Sequence, residues 1–183
     1  MAQPVPSDDQ VTVSEFLGRT WPGEWWHELV EGRVVAMNPP RAAHARLVSL
    51  VGSALERRLP PGCGVYVGGG AVRAGDDRNY RVPDLSVACG TVGQAWVDEP
   101  VLIIEILSPS TAKLDAGSKL AFYRSLPSVQ EILLVASDRR HCELQQREGE
   151  RWIIRDLIGS AVIELRSIGA AIPLDEIYTA LEL

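Results

Sequence analysis

Residues 101–107 read Val-Leu-Ile-Ile-Glu-Ile-Leu, and this stretch decides the fold of the chain. Alternate residues of a strand point to opposite faces, and both sets are apolar here, so we expect this strand in the middle of a sheet covered on both sides. Its one charge is Glu105. Burying an unpaired carboxylate costs several kcal/mol, so Glu105 needs a cation or strong hydrogen-bond donors nearby. The simplest partner would be an arginine in a salt bridge.

A second strand pattern carries another isolated carboxylate. Residues 81–87 read Arg-Val-Pro-Asp-Leu-Ser-Val, in which Asp84 follows Pro83. Proline cannot donate to a strand ladder, so Pro83 marks a strand start or a bulge, and a bulge can direct Asp84 towards a site. On adjacent strands, Asp84 and Glu105 would repel each other unless a cation bridged them. Oxygen ligands without Cys or clustered His favour Mg²⁺ or Mn²⁺ over zinc. The alternative for Asp84 is an ordinary turn.

Lysine is rare in this chain, and Lys119 lies in a predicted helix. Only Lys113 and Lys119 occur, and every other basic residue apart from histidine is arginine. Lysine can lose its proton when its surroundings shift its pKa, whereas arginine cannot near neutral pH. Helical spacing places Lys119 on an apolar face, which should contact the sheet. That face also contains Phe122, Tyr123 and Leu126. The alternative is an exposed pair with Asp115, worth about 0.3–0.5 kcal/mol.

The pattern of the whole chain predicts one α/β sandwich with a mixed sheet. Residues 1–10 are polar, proline-rich and expected to be mobile, and residues 11–183 are expected to form a single domain. A strand or hairpin arm is predicted over 25–37, and an amphipathic helix over 42–59. The other predicted elements are a helix over 15–19 capped by Ser14, strands at 65–72, 81–88, 101–107, 131–136, 141–147, 152–158 and 161–168, and helices over 116–126 and 174–181, the last capped by Asp175.

Composition and charge exclude several classes of protein. Hydrophobic residues make up 46% and charged residues 23% of the chain, which excludes disorder as the default. No apolar run approaches the roughly 20 residues of a membrane helix, and no secretory signal pattern opens the sequence. The three cysteines contain no CxxC pair, which argues against a disulfide framework and a zinc site, so a reducing cytoplasm is expected. The net charge of −6 disfavours non-specific coating of nucleic acid, in which phosphate contacts dominate.

Three tryptophans and a run of three glycines could either contact nucleic acid or have a purely structural role. Trp21, Trp25 and Trp26 could stack on bases, but packing or dimer contacts are favoured because aromatic residues dominate interfaces. The run Gly68-Gly69-Gly70 could approach phosphate. No Walker-type Lys-Ser/Thr pair follows it, so a bulged strand or a sharp bend is favoured.

Together these motifs resemble the Uma2 family of endonucleases, within the PD-(D/E)xK nuclease superfamily. The matching stretches span most of the chain: 27–34, His44, 82–84, 101–111, Asp115, 119–123 and 131–135. The superfamily's lysine normally stands two residues after the acidic residue on the same strand, where this chain has Leu107. The resemblance to Uma2-like sequences places the lysine on the following helix, at Lys119, with Lys113 as the other candidate.

The resemblance implies a restriction-endonuclease-like sandwich with a mixed β-sheet flanked by helices. It also implies metal-dependent hydrolysis of phosphodiester bonds, with Mg²⁺ or Mn²⁺ held by Asp84, Glu105 and the carbonyl of Ile106. The metal would acidify its water and neutralise charge on the phosphate. Lys119 would orient or deprotonate the attacking water, or stabilise charge in the transition state.

Further roles and partners are expected on the same basis. Glu28, with Glu31 as the competing choice, would supply an auxiliary carboxylate, and His44 could contact the site or a phosphate, although a lone helical histidine is more often structural. DNA is the expected substrate, and a homodimer would supply the two sites needed to cut a duplex. The alternatives are a catalytically silent module that binds nucleic acid or protein, and a hydrolase that uses paired carboxylates, such as a glycosidase.

Overall fold

The computed structural model describes residues 10–21, 26–37, 39–68, 72–73, 75, 77–90, 96–97, 99–108 and 116–181. Residues 1–9 lie outside these ranges, so the structure does not test the expectation that the N-terminal segment 1–10 is mobile. In the described residues the chain forms three sheets, of six, four and two strands. Helices pack on both faces of the six-stranded sheet.

The six-stranded sheet is mixed, as predicted. Its strands, in spatial order, are β10 (Arg151–Ile158), β9 (His141–Glu148), β8 (Glu131–Ala136), β7 (Pro100–Leu107), β6 (Leu85–Cys89) and β3 (Cys63–Val67). Strands β7 and β8 run parallel, and the other neighbours are antiparallel. The predicted central strand, β7, lies inside the sheet with neighbours on both sides.

Both faces of β7 are covered, which explains its two-sided apolar pattern. Ile104 packs in the larger core, beneath helices α2 (Ala42–Glu56) and α4 (Leu174–Tyr178). Ile103 packs in a second core, beneath helix α3 (Ala116–Ser125). Because side chains alternate along a strand, Glu105 shares the α3 face with Ile103.

The four-stranded sheet lies at the start of β6 and contains the N-terminal hairpin. Its strands, in order, are β2 (Arg33–Ala36), β1 (His27–Val30), β5 (Tyr80–Arg81) and β4 (Val72–Arg73). The segment predicted over 25–37 as a strand or hairpin arm forms a two-stranded hairpin within its described part, 26–37. The single strand predicted over 81–88 is divided, because Pro83 interrupts the ladder between β5 and β6. This break places Asp84 in the bend where one sheet passes into the other.

Two predicted helix caps are wrong. Helix α1 (Val13–Leu17) begins at Thr12, whose side chain accepts from the Glu15 amide while the Glu15 carboxylate accepts from the Thr12 amide. This reciprocal capping box replaces the predicted cap at Ser14. At α4, Pro173 occupies the N-cap position without a side-chain bond, and Asp175 lies in the first turn.

The C-terminal strands differ from prediction because a buried carboxylate anchors a turn. The strand predicted over 161–168 is β11 (Val162–Leu165), which pairs with the unpredicted β12 (Ala170–Pro173) in a separate sheet. Glu131 on β8 accepts hydrogen bonds from the side chain of Gln146 and the amides of Arg166 and Ser167. These bonds hold the turn between β11 and β12 against the large sheet.

Two of the cysteines are paired. Register aligns Cys63 of β3 with Cys89 of β6, and the two form a disulfide, so the expectation against disulfides is wrong for this pair. Cys142 is free and buried. Cysteine count alone therefore does not establish a reducing compartment. Among the described helices, none combines the length and apolar character needed to cross a membrane.

Candidate active site

Strand register brings Asp84 and Glu105 together. Leu85 of β6 is aligned with Ile104 of β7, so the next pair outward is Asp84 and Glu105, on the face that α3 covers. Asp84 Oδ2 accepts a hydrogen bond of 2.7 Å from the amide of Ile106. The two carboxylates predicted from separate motifs thus lie at the same end of the sheet.

Helix α3 directs Lys119 at the same place. Its Nζ lies 3.1 Å from Glu28 Oε1 and 3.3 Å from Glu105 Oε1. The predicted apolar face of the helix does contact the sheet, and the cation beside Glu105 is this lysine instead of an arginine. The alternative partner of Lys119, Asp115, lies outside the described residues, as does Lys113.

Tyr123 belongs to this cluster, although the sequence was interpreted only as placing it on an apolar face. Its hydroxyl donates to Glu105 Oε1 at 2.6 Å, and its side chain is fully buried. It lies one helical turn after Lys119, so both reach the same carboxylate oxygen. A tyrosine four residues from a lysine, on a face that meets a strand with a lone carboxylate, is the signal that would have identified it.

Glu28, and not Glu31, reaches the cluster. Glu28 is buried on β1, where its Oε1 accepts from the Val82 amide at 2.9 Å. Its Oε2 lies 3.4 Å from Nη1 of Arg81, a buried cation that the sequence analysis did not select. Glu31 lies in the turn between β1 and β2, exposed and with a φ of 50°.

His44 approaches from the N-terminal turn of α2. Its Nε2 lies 3.1 Å from Asp84 Oδ2. Burial acts to lower the pKa of His44, but the hydrogen bond and the charge of Asp84 outweigh it, and the net pKa is raised. The structure therefore brings the predicted histidine into direct contact with one of the two carboxylates.

Burial and charge set the protonation of the central pair. Burial raises the pKa of Glu105 to about 7, although the charge of Lys119 and the hydrogen bond from Tyr123 act in the opposite direction. Burial acts to lower the pKa of Lys119, but Glu105, Glu28 and Asp84 raise it above its ordinary value. Lys119 is thus an ammonium at neutral pH, whereas the Glu105 carboxyl is divided between its neutral and charged forms near pH 7.

The donor set suits a hard divalent cation. The described residues contain no cluster of three or more His, Cys, Asp and Glu arranged to hold a metal. However, the described residues that contact these carboxylates do so at Asp84 Oδ2 and Glu105 Oε1, and none of them donates to Asp84 Oδ1 or Glu105 Oε2. The amide and carbonyl of a strand residue point to the same side, so the Ile106 carbonyl points towards Asp84. Mg²⁺ is commonly held by one or two carboxylates and water.

The structure describes two of the three tryptophans singled out in the sequence and one of the three consecutive glycines. Trp21 stacks on Phe16 at 5.6 Å between ring centroids and donates its Nε1–H to the Phe16 carbonyl, as the packing interpretation predicts. Trp26 is 56% exposed. Gly68 follows β3 with a φ of 55°, in agreement with a sharp bend. Trp25, Gly69 and Gly70 lie outside the described residues.

Comparisons with known proteins identify a family and a fold. The Uma2 family, described as "Putative restriction endonuclease", matches residues 13–171. Two uncharacterized proteins of Synechocystis are each 29% identical over 160 residues, covering 85% and 81% of this chain and 84% and 88% of their own. The crystal structure of a "putative nuclease belonging to DUF820" from Anabaena variabilis superposes with a TM-score of 0.73. That match covers 92% of this chain and 98% of the other at 18% identity, and it shows the shared fold.

Proposed function

The chain belongs to the Uma2 family, and on that premise we propose that it is a metal-dependent endonuclease that hydrolyses phosphodiester bonds in DNA. The observation that carries the proposal is the convergence of Asp84, Glu105 and Lys119 at one end of β6 and β7. These residues correspond to the acidic pair and the lysine of a PD-(D/E)xK site. A homodimer would supply the two sites that cutting both strands requires.

Asp84, Glu105 and the carbonyl of Ile106 would hold Mg²⁺ or Mn²⁺. The Ile106 amide fixes one oxygen of Asp84, and Tyr123 and Lys119 fix one oxygen of Glu105. Among the described residues, none donates to the second oxygen of either carboxylate, which is the oxygen that would bind the cation. When bound, a divalent cation acidifies water and neutralises charge at the scissile phosphate.

Lys119 would act as a fixed positive charge. Its raised pKa keeps it protonated, which favours orienting water and stabilising the negative charge of the transition state over removing a proton. Glu28 holds the ammonium at 3.1 Å, and Arg81 compensates the remaining charge of Glu28. In this arrangement Glu28 positions the lysine and is not a ligand of the metal.

A silent binding module on the same fold is the second candidate. The net charge of −6 favours it, because an acidic protein binds phosphate weakly without a metal. Titration calorimetry with Mn²⁺ separates the two proposals, since intact protein that binds no Mn²⁺ would support the module.

Plasmid cleavage tests the proposed activity. With Mg²⁺ or Mn²⁺ the wild-type protein should nick supercoiled plasmid, and EDTA should stop the reaction. Asp84→Asn should lower the rate at least about a hundredfold, because it removes a negative ligand of the cation. Asp138→Asn, a change at an exposed carboxylate, is the matched control and should leave the rate unchanged. Cleavage that persists in EDTA or in Asp84→Asn would contradict the assignment.

Tyr123 provides a test of carboxylate positioning. Tyr123→Phe should weaken Mn²⁺ binding about ten- to a hundredfold, since it removes the hydroxyl that orients Glu105. Tyr178→Phe is the control, because Tyr178 is equally buried but its one hydroxyl proton is shared between the carbonyls of Ala136 and His141. It should lower the melting temperature without changing Mn²⁺ affinity in calorimetry. Equal losses of affinity in both variants would show a general packing effect.

A further inference from the structure

Trp26 is an exposed aromatic residue directly before the strand that carries Glu28. It directly precedes β1, and its carbonyl accepts a 2.8 Å hydrogen bond from Met37, so its backbone continues the hairpin ladder. Its side chain is 56% exposed, the most of any described tryptophan. The residue therefore combines a fixed backbone with a large apolar surface in water.

Gly68 places the indole beside the candidate active site. A Cβ at position 68 would lie 2.5 Å from Cη2 and Cζ3 of Trp26, so any larger residue there would displace the ring from its present position. The amide of Gly68 donates to the carbonyl of Asp84 at 3.0 Å. The ring thus rests on backbone that is hydrogen-bonded directly to one of the two acidic residues.

The charge of the protein and the chemistry of the candidate site indicate which ligand would contact the exposed ring of Trp26. Phosphate contacts alone bind weakly to a chain with a net charge of −6. Stacking of a base on an aromatic ring adds affinity that does not depend on charge and tolerates any base. A base inside a duplex is already stacked on its neighbours, so only an unpaired base can offer a free face.

We propose that Trp26 stacks on an unpaired nucleobase next to the scissile phosphate, so that the preferred substrate is single-stranded nucleic acid or a duplex with an unpaired base at that point. This inference rests on the proposed nuclease function, because it takes the phosphate to lie at Asp84 and Glu105. It also separates the tryptophans: Trp21 packs in the N-terminal core, whereas Trp26 faces the substrate.

Binding of labelled oligonucleotides tests the inference without relying on cleavage. Fluorescence anisotropy would compare a single strand with its duplex in Ca²⁺, with the oligonucleotides checked for integrity on a gel. Trp26→Ala should weaken single-strand binding about tenfold or more and change duplex binding less than about twofold. Trp26→Phe, which keeps a ring, should retain most of the affinity. Ile158→Ala, at an exposed apolar residue on the far edge strand β10, should have no effect.

Several outcomes would overturn the inference. They are single-strand binding that is unchanged in Trp26→Ala, equal loss for single strand and duplex, or a wild-type protein that binds no single strand. A change in oligomeric mass on sedimentation, without loss of nucleic-acid binding, would make Trp26 a subunit contact instead. A failure of the proposed nuclease function would give a different result. The wild-type protein would then cleave no nucleic acid but would still bind single strands through Trp26.

Discussion

Replacing Glu105 with glutamine is expected to abolish cleavage and, without metal, to stabilise the folded protein above neutral pH. Cleavage should fall at least about a hundredfold, because the amide is a poor ligand for a hard cation. The fold should survive, since Tyr123 can still donate to the amide oxygen and Lys119 keeps its contact with Glu28. Loss of function with gain of stability is the mark of a carboxylate retained for chemistry and not for folding.

The stability gain depends on pH in a direction that can be worked out. The pKa of Glu105 is raised from 4.5 to about 7 in the folded protein, so the folded state binds its proton more readily than the unfolded state. The wild-type protein therefore loses stability as the pH rises from 4.5 through 7, whereas the glutamine variant has no such loss. The difference should approach the order of 3 kcal/mol above pH 8.

Thermal unfolding in EDTA measures this effect. The melting temperature of Glu105→Gln should exceed that of the wild type at pH 8 and converge with it near pH 4.5. Glu150→Gln, in the exposed turn between β9 and β10, is the matched control and should show no pH-dependent difference. A variant that is less stable than the wild type at pH 8 would contradict the burial argument, even if its activity were lost.

Replacing Lys119 with methionine is expected to slow cleavage strongly without weakening Mn²⁺ binding. The Nζ of Lys119 lies 3.3 Å from Glu105 Oε1, so its positive charge repels a cation bound to the other oxygen, and its loss should tighten Mn²⁺ binding. The rate should fall about 10²–10³-fold, because a preorganised charge at the phosphate is lost. This separation of binding from rate distinguishes Lys119 from Glu105, whose replacement removes both.

Calorimetry and plasmid cleavage on the same preparations make the comparison. Lys113→Met is the matched control, since it removes the only other lysine of the chain and should leave the rate unchanged. The reverse result, with cleavage lost in Lys113→Met and kept in Lys119→Met, would assign the catalytic role to Lys113. Loss of Mn²⁺ binding in Lys119→Met would show instead that the lysine organises the carboxylates.

Local patterns predicted the parts of the site that follow from one segment at a time. The two-sided apolar strand around Glu105 could only be an inner strand, and a lone charge there needed a partner. Pro83 indicated a break before Asp84, and helical spacing directed Lys119 at the sheet. Each inference uses the period of one element, which is encoded in consecutive residues.

The residues that sequence reasoning missed depend on contacts between segments far apart in the chain. Arg81 became a partner of Glu28 only because β5 pairs with β1, and Cys63 met Cys89 through the register of β3 with β6. Tyr123 was predicted to lie on the apolar face of its helix, which is correct for its ring. The hydrogen bond from its hydroxyl to Glu105 was not predicted. Strand register and the docking of a helix are set by the whole core, and no local period encodes them.

The sequence by itself determined that the central strand carries a buried carboxylate and that an aspartate follows a proline on a second strand, whereas the family resemblance was needed to group Lys119 with them. Their convergence was decided only by the tertiary structure, which aligned β6 with β7 and docked α3 across their end. The tertiary structure also divided the tryptophans, burying Trp21 against Phe16 and leaving Trp26 exposed over Gly68. The physical reason is that a charge or a ring acquires its role from the groups packed around it, and packing joins residues that are distant in the chain.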